Sequence, residues 1–317
     1  MPYPMQNGGP YFRITDLAVL WRRVIRKLAR TQGDAQRVDI SDNQKDRQFE
    51  FLEYPFCEAC GEKFSTEVLI ATDGNRIVEC RSCSLWYTSP RIIEEDWIGW
   101  LCAPNPRNEV VTENRLQHGI ALSRNIPLSF SFWWRIIRYQ NQRKLKKLIK
   151  LHGGSVKRVF DVGCGSGLFL KSAKDLGVDV SGNDLNNYAV EKMNTVLGVD
   201  AHLGQLDELI SLGAINRDAY EIVHMNDFIE HSYHPKQDIE AAHKILKKDG
   251  LLYVRTFCVD SDKFNTLKEK WDMLMWNHCF HFTSNSLSNL ITQSSFSILS
   301  CTIHESTGII ELIAKKS

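Results

Sequence analysis

Three glycines in five residues, in the run Asp161-Val162-Gly163-Cys164-Gly165-Ser166-Gly167, constrain this chain more than any other feature. The residues entering the run, 156–162, read as a buried strand, and those leaving it from Leu168 have helical spacing. Glycine lets the backbone turn sharply and brings a ligand close to peptide groups without a Cβ clash. The N-terminus of the following helix adds unpaired N–H donors for an anionic or polar group. A strand–turn–helix unit of this kind belongs in an open α/β sheet, whose ligands bind beyond the C-terminal ends of the strands.

Two ligand classes use such a turn, and neighbouring residues separate them. A dinucleotide fingerprint, G-x-G-x-x-G, needs glycine at 168, where this chain has Leu168. The pattern present is D-x-G-x-G-x-G, with a carboxylate two residues before the first glycine. A carboxylate there can face a cationic amine in a partly dry pocket. The next strand ends at Gly182-Asn183-Asp184. Asp184 can accept from both hydroxyls of a ribose, or it can cap the following helix.

From about residue 155 onward strand and helix patterns alternate. Strands are expected at 158–162, 178–183, 220–225, 251–256, 297–304 and 308–314, and helices at 168–176, 188–197, 237–247 and 285–294. This alternation predicts a mainly parallel sheet covered on both faces. The last two strands, joined by a short turn, predict one antiparallel pairing at the sheet edge.

Of nine cysteines, four form two tight pairs: Cys57 and Cys60, then, after nineteen intervening residues, Cys80 and Cys83. Two C-x2-C pairs at that spacing fit a four-thiolate zinc site. With every position filled by protein, the metal would be structural, and its binding would fold a subdomain too small for a core of its own. Asp73-Gly74-Asn75 between two apolar runs predicts a hairpin joining the pairs.

The matches extend well past one turn. The D-x-G-x-G-x-G stretch resembles motif I of class I S-adenosylmethionine-dependent methyltransferases. Residues 220–231 are similar to that family's fourth strand and its Glu-His ending, here Glu230-His231. Residues 245–254 are similar to its Leu-Lys-Pro-Gly-Gly turn and fifth strand, with Lys248 and Asp249 replacing proline and glycine. Residues 277–283 are similar to its H-x-x-x-F-T segment. Residues 84–91, Ser-Leu-Trp-Tyr-Thr-Ser-Pro-Arg, resemble the stretch after the ribbon in bacterial methyltransferases with an N-terminal zinc ribbon, with Ser84 replacing glycine.

The resemblance implies a Rossmann-like seven-stranded methyltransferase sheet with a small N-terminal zinc-ribbon subdomain. It implies S-adenosylmethionine bound by Asp161 (at the methionine amino group), Gly163, Gly165, Gly167, Asp184 (ribose), Gln205 and Leu206 (adenine), and Asn226. Structural zinc would be held by Cys57, Cys60, Cys80 and Cys83. The implied activity is O-methylation of a small molecule, a sugar or glycan intermediate. C-methylation of a keto-sugar and a silent, partner-binding methyltransferase-like subunit are the alternatives. A hydroxyl acceptor needs a base at neutral pH, and His231, His278 and His281 fall in loops expected to face the cofactor.

The expected organisation is a basic amphipathic helix and linker at 1–50, the ribbon at 51–90, a helical connector and substrate region at 91–152, and the methyltransferase domain at 153–317. The helical patterns at 12–30 and 132–151 each carry a basic face. In the second, Arg135, Arg138, Arg143, Lys144, Lys146, Lys147 and Lys150 are expected on the solvated side. Either face could meet a peripheral membrane or a protein partner. A net charge of +1 argues against a chain dominated by nucleic-acid binding. The N-terminus lacks the pattern of a signal peptide, and no run approaches the ~20 apolar residues of a membrane span. A cytoplasmic location is therefore expected.

Overall fold

In the computed structural model the described residues are 38–39, 51–102 and 132–317. The basic pattern at 12–30 and the linker after it therefore lie outside them. No helix among the described residues is long and apolar enough to cross a membrane.

A short strand, β1 (Val38–Asp39), pairs with β2 (Phe51–Glu53). The cysteine region follows as β3 (Ser65–Ile70), β4 (Arg76–Cys80) and β5 (Trp86–Thr88), an antiparallel meander. The first turn of the meander is the expected Asp73-Gly74-Asn75, with Gly74 at φ +90°. Next come β6 (Arg91–Ile92), paired with β2, then α1 (Glu94–Cys102) and α2 (Phe132–His152).

The large sheet is built from β7 (Arg158–Val162), β8 (Asp179–Asp184), β9 (Asp200–Leu203), β10 (Tyr220–Asn226), β11 (Leu246–Phe257), β13 (Phe296–His304) and β14 (Ile309–Lys316). Its order is β13-β14-β11-β10-β7-β8-β9. Interleaved helices are α3 (Leu168–Lys174), α4 (Asn187–Lys192, running into a π-helical turn to Leu197), α5 (Leu206–Ser211), α6 (Pro235–Ile245), α7 (Asp262–Leu267) and α8 (Ser284–Gln293). All pairings are parallel except those of β14 with β11 and with β13. The expected single antiparallel pairing at the edge is thus two, because β14 inserts between β11 and β13 rather than closing the sheet.

Central strands show why they are central. β10 is buried at six of its seven positions, as a strand covered on both faces must be. On one face α2, α3 and α4 pack over Val159, Val180, Ile222 and Tyr253. On the other, α5, α6 and α8 pack over Phe160, Val223, Leu252 and Leu312, in a core that runs on into the cysteine region through Cys57, Cys80 and Tyr87.

One strand crosses the expected domain boundary. β12 (Phe280–His281) leaves the large sheet's half of the chain and pairs antiparallel with β5, giving the cysteine region its fourth strand. A third cluster, Ala71, Ile77, Val259, Phe264, Trp271 and Leu274, seals the same junction. Arg91 ties it further. It is buried and bonds Glu53 at 2.7 Å and Glu58 at 3.3 Å, with its guanidinium 4.3 Å from the Tyr233 ring centroid.

Candidate functional site

The strand order reverses at β7: β8 and β9 lie to one side, β10 and β11 to the other. That reversal opens a crevice beyond the strand ends, and a cavity of ≈ 650 Å³ lies there. Its floor is the glycine turn. Gly163 adopts φ +65°, and a Cβ on it would sit 2.4 Å from Phe228, so no side chain fits. Gly165 also has positive φ but meets nothing within 4 Å, so its backbone faces open space where a ligand can lie against it.

Asp184 faces this space from the end of β8. Its Oδ2 accepts from the Gly165 N–H at 2.8 Å and its Oδ1 from Asn186 N–H at 2.9 Å. Burial pushes the carboxyl above its usual range, and these two donors oppose the shift. The residue therefore ties both loops of the crevice together. The helix-capping role falls to Asn186, whose side chain accepts from Ala189 N–H. Gln205 and Leu206 also line the cavity, and Gln205 donates to Glu94 on α1 at 3.2 Å.

Asp161 and Asn226 are placed elsewhere. In the sheet register Asp161 lies opposite His224, so both side chains emerge on the α2 face. His224 Nδ1–H donates to Asp161 Oδ1 at 2.6 Å, with both residues buried. Lys144 approaches His224 Nε2 at 3.3 Å and donates to Asn226 Oδ1 at 2.9 Å. The His224 ring is stacked between Phe169 and Tyr253. Burial raises the Asp161 carboxyl to about 8, opposed by the Lys144 ammonium, and drives His224 well below its usual value. Neither Asp161 nor Asn226 lines the cavity; Asp227 and Phe228 do. Lys144 is a correction to the expected solvated face. It turns inward with Leu145 and Leu148, while Arg135, Arg143, Lys146, Lys147 and Lys150 stay exposed.

The three histidines also divide. His231 lines the cavity, and its Nδ1–H donates to Asn277 O at 2.8 Å. His278 is buried behind it, donating from Nδ1 to Met273 O at 2.6 Å and stacked on Phe257. His281 sits within β12 against Thr88 Oγ1 at 3.2 Å, and burial pushes it down to about 3. A ring so far from protonation, away from the cavity lining, is placed to hold β12 against β5.

Residues the sequence reading did not assign to a site complete the wall. Glu94, Trp97 and Ile98 reach in from α1, and the hairpin tip adds Ala71, Thr72 and Asp73. The segment 270–277 closes the far side with Trp271 and Trp276. The acidic first turn of α1 marks a helix. Nothing in its sequence shows that it faces a cavity.

The four cysteines converge, with all sulfurs within 4.8 Å of one another. Cys57 and Cys83 are 3.4 Å apart, and Cys60 and Cys80 3.5 Å. Sulfurs around a tetrahedral zinc with ~2.3 Å bonds lie roughly 3.8 Å apart. Backbone N–H groups of Ser82 and Cys83 point at the Cys80 sulfur, as suits a thiolate. The donor set fits a closed four-thiolate ion.

This fold and crevice are those of class I S-adenosylmethionine-dependent methyltransferases. A family model described as a methyltransferase domain matches residues 133–300, more than half of the chain, and the chain belongs to that family. It is 29% identical over 113 residues to a ubiquinone biosynthesis O-methyltransferase of Haemophilus ducreyi, covering 34% of this chain and 48% of that protein. A protein of the same name from Paraburkholderia phymatum is 29% identical over 103 residues, covering 32% and 44%. The chain thus spans about half the length of the curated relatives it matches. Among solved structures, it is similar to a SAM-dependent methyltransferase from Archaeoglobus fulgidus, at 14% identity and a TM-score of 0.44, over 57% of this chain and 94% of that one.

Proposed function

We propose that the protein transfers the methyl group of S-adenosylmethionine to a hydroxyl of a small molecule, with a structural zinc ion in its cysteine region. The observation that carries this is the cavity. One end is polar backbone and Asp184, suited to a nucleoside, and the other is an aromatic wall with His231 at its edge. Methyl transfer is an in-line displacement, so alignment of acceptor, methyl and sulfonium supplies most of the catalysis. The bound cofactor supplies the activated methyl group. The chain's own task is to hold the ribose at Asp184, keep Gly165 clear for the cofactor, and bring the acceptor oxygen to His231.

A sugar or glycan intermediate is the acceptor we put first. Trp97, Trp271 and Trp276 offer flat apolar faces, while Glu94 and Gln237 stand among them as hydrogen-bonding groups. A sugar ring has the same division, with apolar C–H faces and a polar rim. The resemblance of 84–91 to zinc-ribbon methyltransferases supports the same class. The O-methyltransferase names of the relatives support oxygen as the atom methylated. The exposed basic face of α2 we assign to an anionic partner or membrane surface.

Calorimetry with S-adenosylmethionine and NAD side by side tests the cofactor, and transfer of labelled methyl to a panel of sugars and phenols tests the acceptor. Binding of NAD alone overturns the reading.

A further inference from the structure

Behind His231 lies a second set of metal-ligating groups, distinct from the cysteines. Glu230, His231 and His278 present ligand atoms that all lie within 4.8 Å of one another. Glu230 and His278 are buried, and His231 connects them to the cavity.

The hydrogen bonds set the state of each group. Both histidines direct Nδ1 at a backbone carbonyl, Asn277 O and Met273 O. A carbonyl only accepts, so Nδ1 carries the proton in both rings and Nε2 carries the lone pair. Glu230 Oε2 accepts from Thr256 Oγ1 at 2.8 Å, but its Oε1 is buried with no hydrogen-bond partner. An unsatisfied buried carboxylate oxygen is costly, and beside imidazole lone pairs only a proton or a cation relieves it. Three electron-pair donors therefore converge on a point that calls for a positive charge.

We propose that Glu230, His231 and His278 hold a divalent cation of the zinc–cobalt–nickel type at the acceptor end of the cavity. Two imidazoles and one carboxylate suit ions of that class. The carbonyls of Asn277 and Met273 fix the tautomer and aim of each ring, as partners behind metal-bound histidines do. Three protein ligands leave a coordination position open, unlike the closed cysteine set, and the cavity provides the entry path. The inference rests on the proposed function in one respect: the acceptor oxygen lies at His231. There the ion would ease loss of the hydroxyl proton to cavity water, with His231 as its ligand.

The ion can be read without activity. The full chain loaded with cobalt(II) should show two signatures, an intense sulfur-to-metal band from the cysteines and weak visible bands from a nitrogen–oxygen site. Glu230→Gln and His231→Ala should each abolish the weak bands and remove one equivalent of cobalt, with the sulfur band retained as the control for folding. His231→Ala changes only a residue at the cavity edge, so it tests the site even where Glu230→Gln fails to fold. Absence of nitrogen–oxygen bands in the unaltered chain overturns the proposal, and so does their survival in His231→Ala. Calorimetry with S-adenosylmethionine on the same samples keeps the two readings apart. Cofactor binding without the second ion removes only the metal site, and the second ion without cofactor binding removes only the methyltransferase reading.

Discussion

The side-chain amide of Asn75, on the tip of the cysteine-region hairpin, donates to the backbone carbonyl of Leu274 at 3.0 Å. The same amide reaches Thr88 Oγ1 at 3.2 Å, and Thr72 N–H donates to Glu269 O at 2.9 Å. The hairpin thereby holds the segment that forms the aromatic wall of the cavity, the end proposed for the acceptor. Asn75→Ala removes a buried donor and leaves the Leu274 carbonyl unpaired, at a cost of about 1–3 kcal/mol in denaturant unfolding. The acceptor KM should rise while affinity for S-adenosylmethionine stays near wild type. An unchanged KM would show that the hairpin does not shape the acceptor end.

Asp184→Ala should weaken binding of S-adenosylmethionine by about 1–3 kcal/mol, the loss expected for charge-assisted hydrogen bonds to a ribose. Calorimetry checks this directly. Wild-type affinity in this variant would remove Asp184 from the cofactor site.

His231→Ala should depress kcat by about 10²–10⁴ while leaving cofactor affinity intact. His281→Ala should act differently, lowering thermal stability through β12 more than it lowers kcat. Steady-state rates alongside melting curves separate these outcomes.

His234 is clamped between Glu58 at 3.1 Å and Glu94 at 3.0 Å, and these hydrogen bonds raise it to about 10. The folded state thus binds its proton more tightly than the unfolded chain does. The resulting stability is fully present below the ordinary histidine value of about 6.5. It is lost as pH rises through about 10. The Tm difference between wild type and His234→Gln should be largest in mild acid and shrink steadily toward pH 10. A constant difference would mean that the clamp does not titrate.

Stripping the proposed zinc ion from Cys57, Cys60, Cys80 and Cys83 should loosen the hairpin, because metal binding there would be folding energy. Limited proteolysis should then cut within 57–83 before it cuts the large sheet. Equal protection with and without chelator would make the thiols merely packed.

Much of this was legible in order along the chain. The glycine turn, most strands of the large sheet and the hairpin at Asp73-Gly74-Asn75 are local patterns, and they appear where spacing places them. The expected helix at 237–247 begins instead at Pro235, a residue preorganised for a first helical turn, and gives way to β11 at Leu246. β9, α5 and α7 went unread because four to six residues carry too little periodicity. β12 is two residues long and is a strand only because β5 lies beside it.

The sequence by itself determined the glycine turn from Asp161 to Gly167, the order of alternating elements and the pairing of the cysteines. These depend on backbone freedom and on spacing within a few residues, which any fold must respect. The tertiary structure decided which polar groups face the cavity. Side chains alternate across a strand, so one step of register turns Asp161 toward His224 and Lys144, while the end of β8 leaves Asp184 in the crevice. It likewise parted His231 from His281 and brought the Asn75 amide to Leu274, because contacts between distant segments exist only once both faces of the sheet are packed.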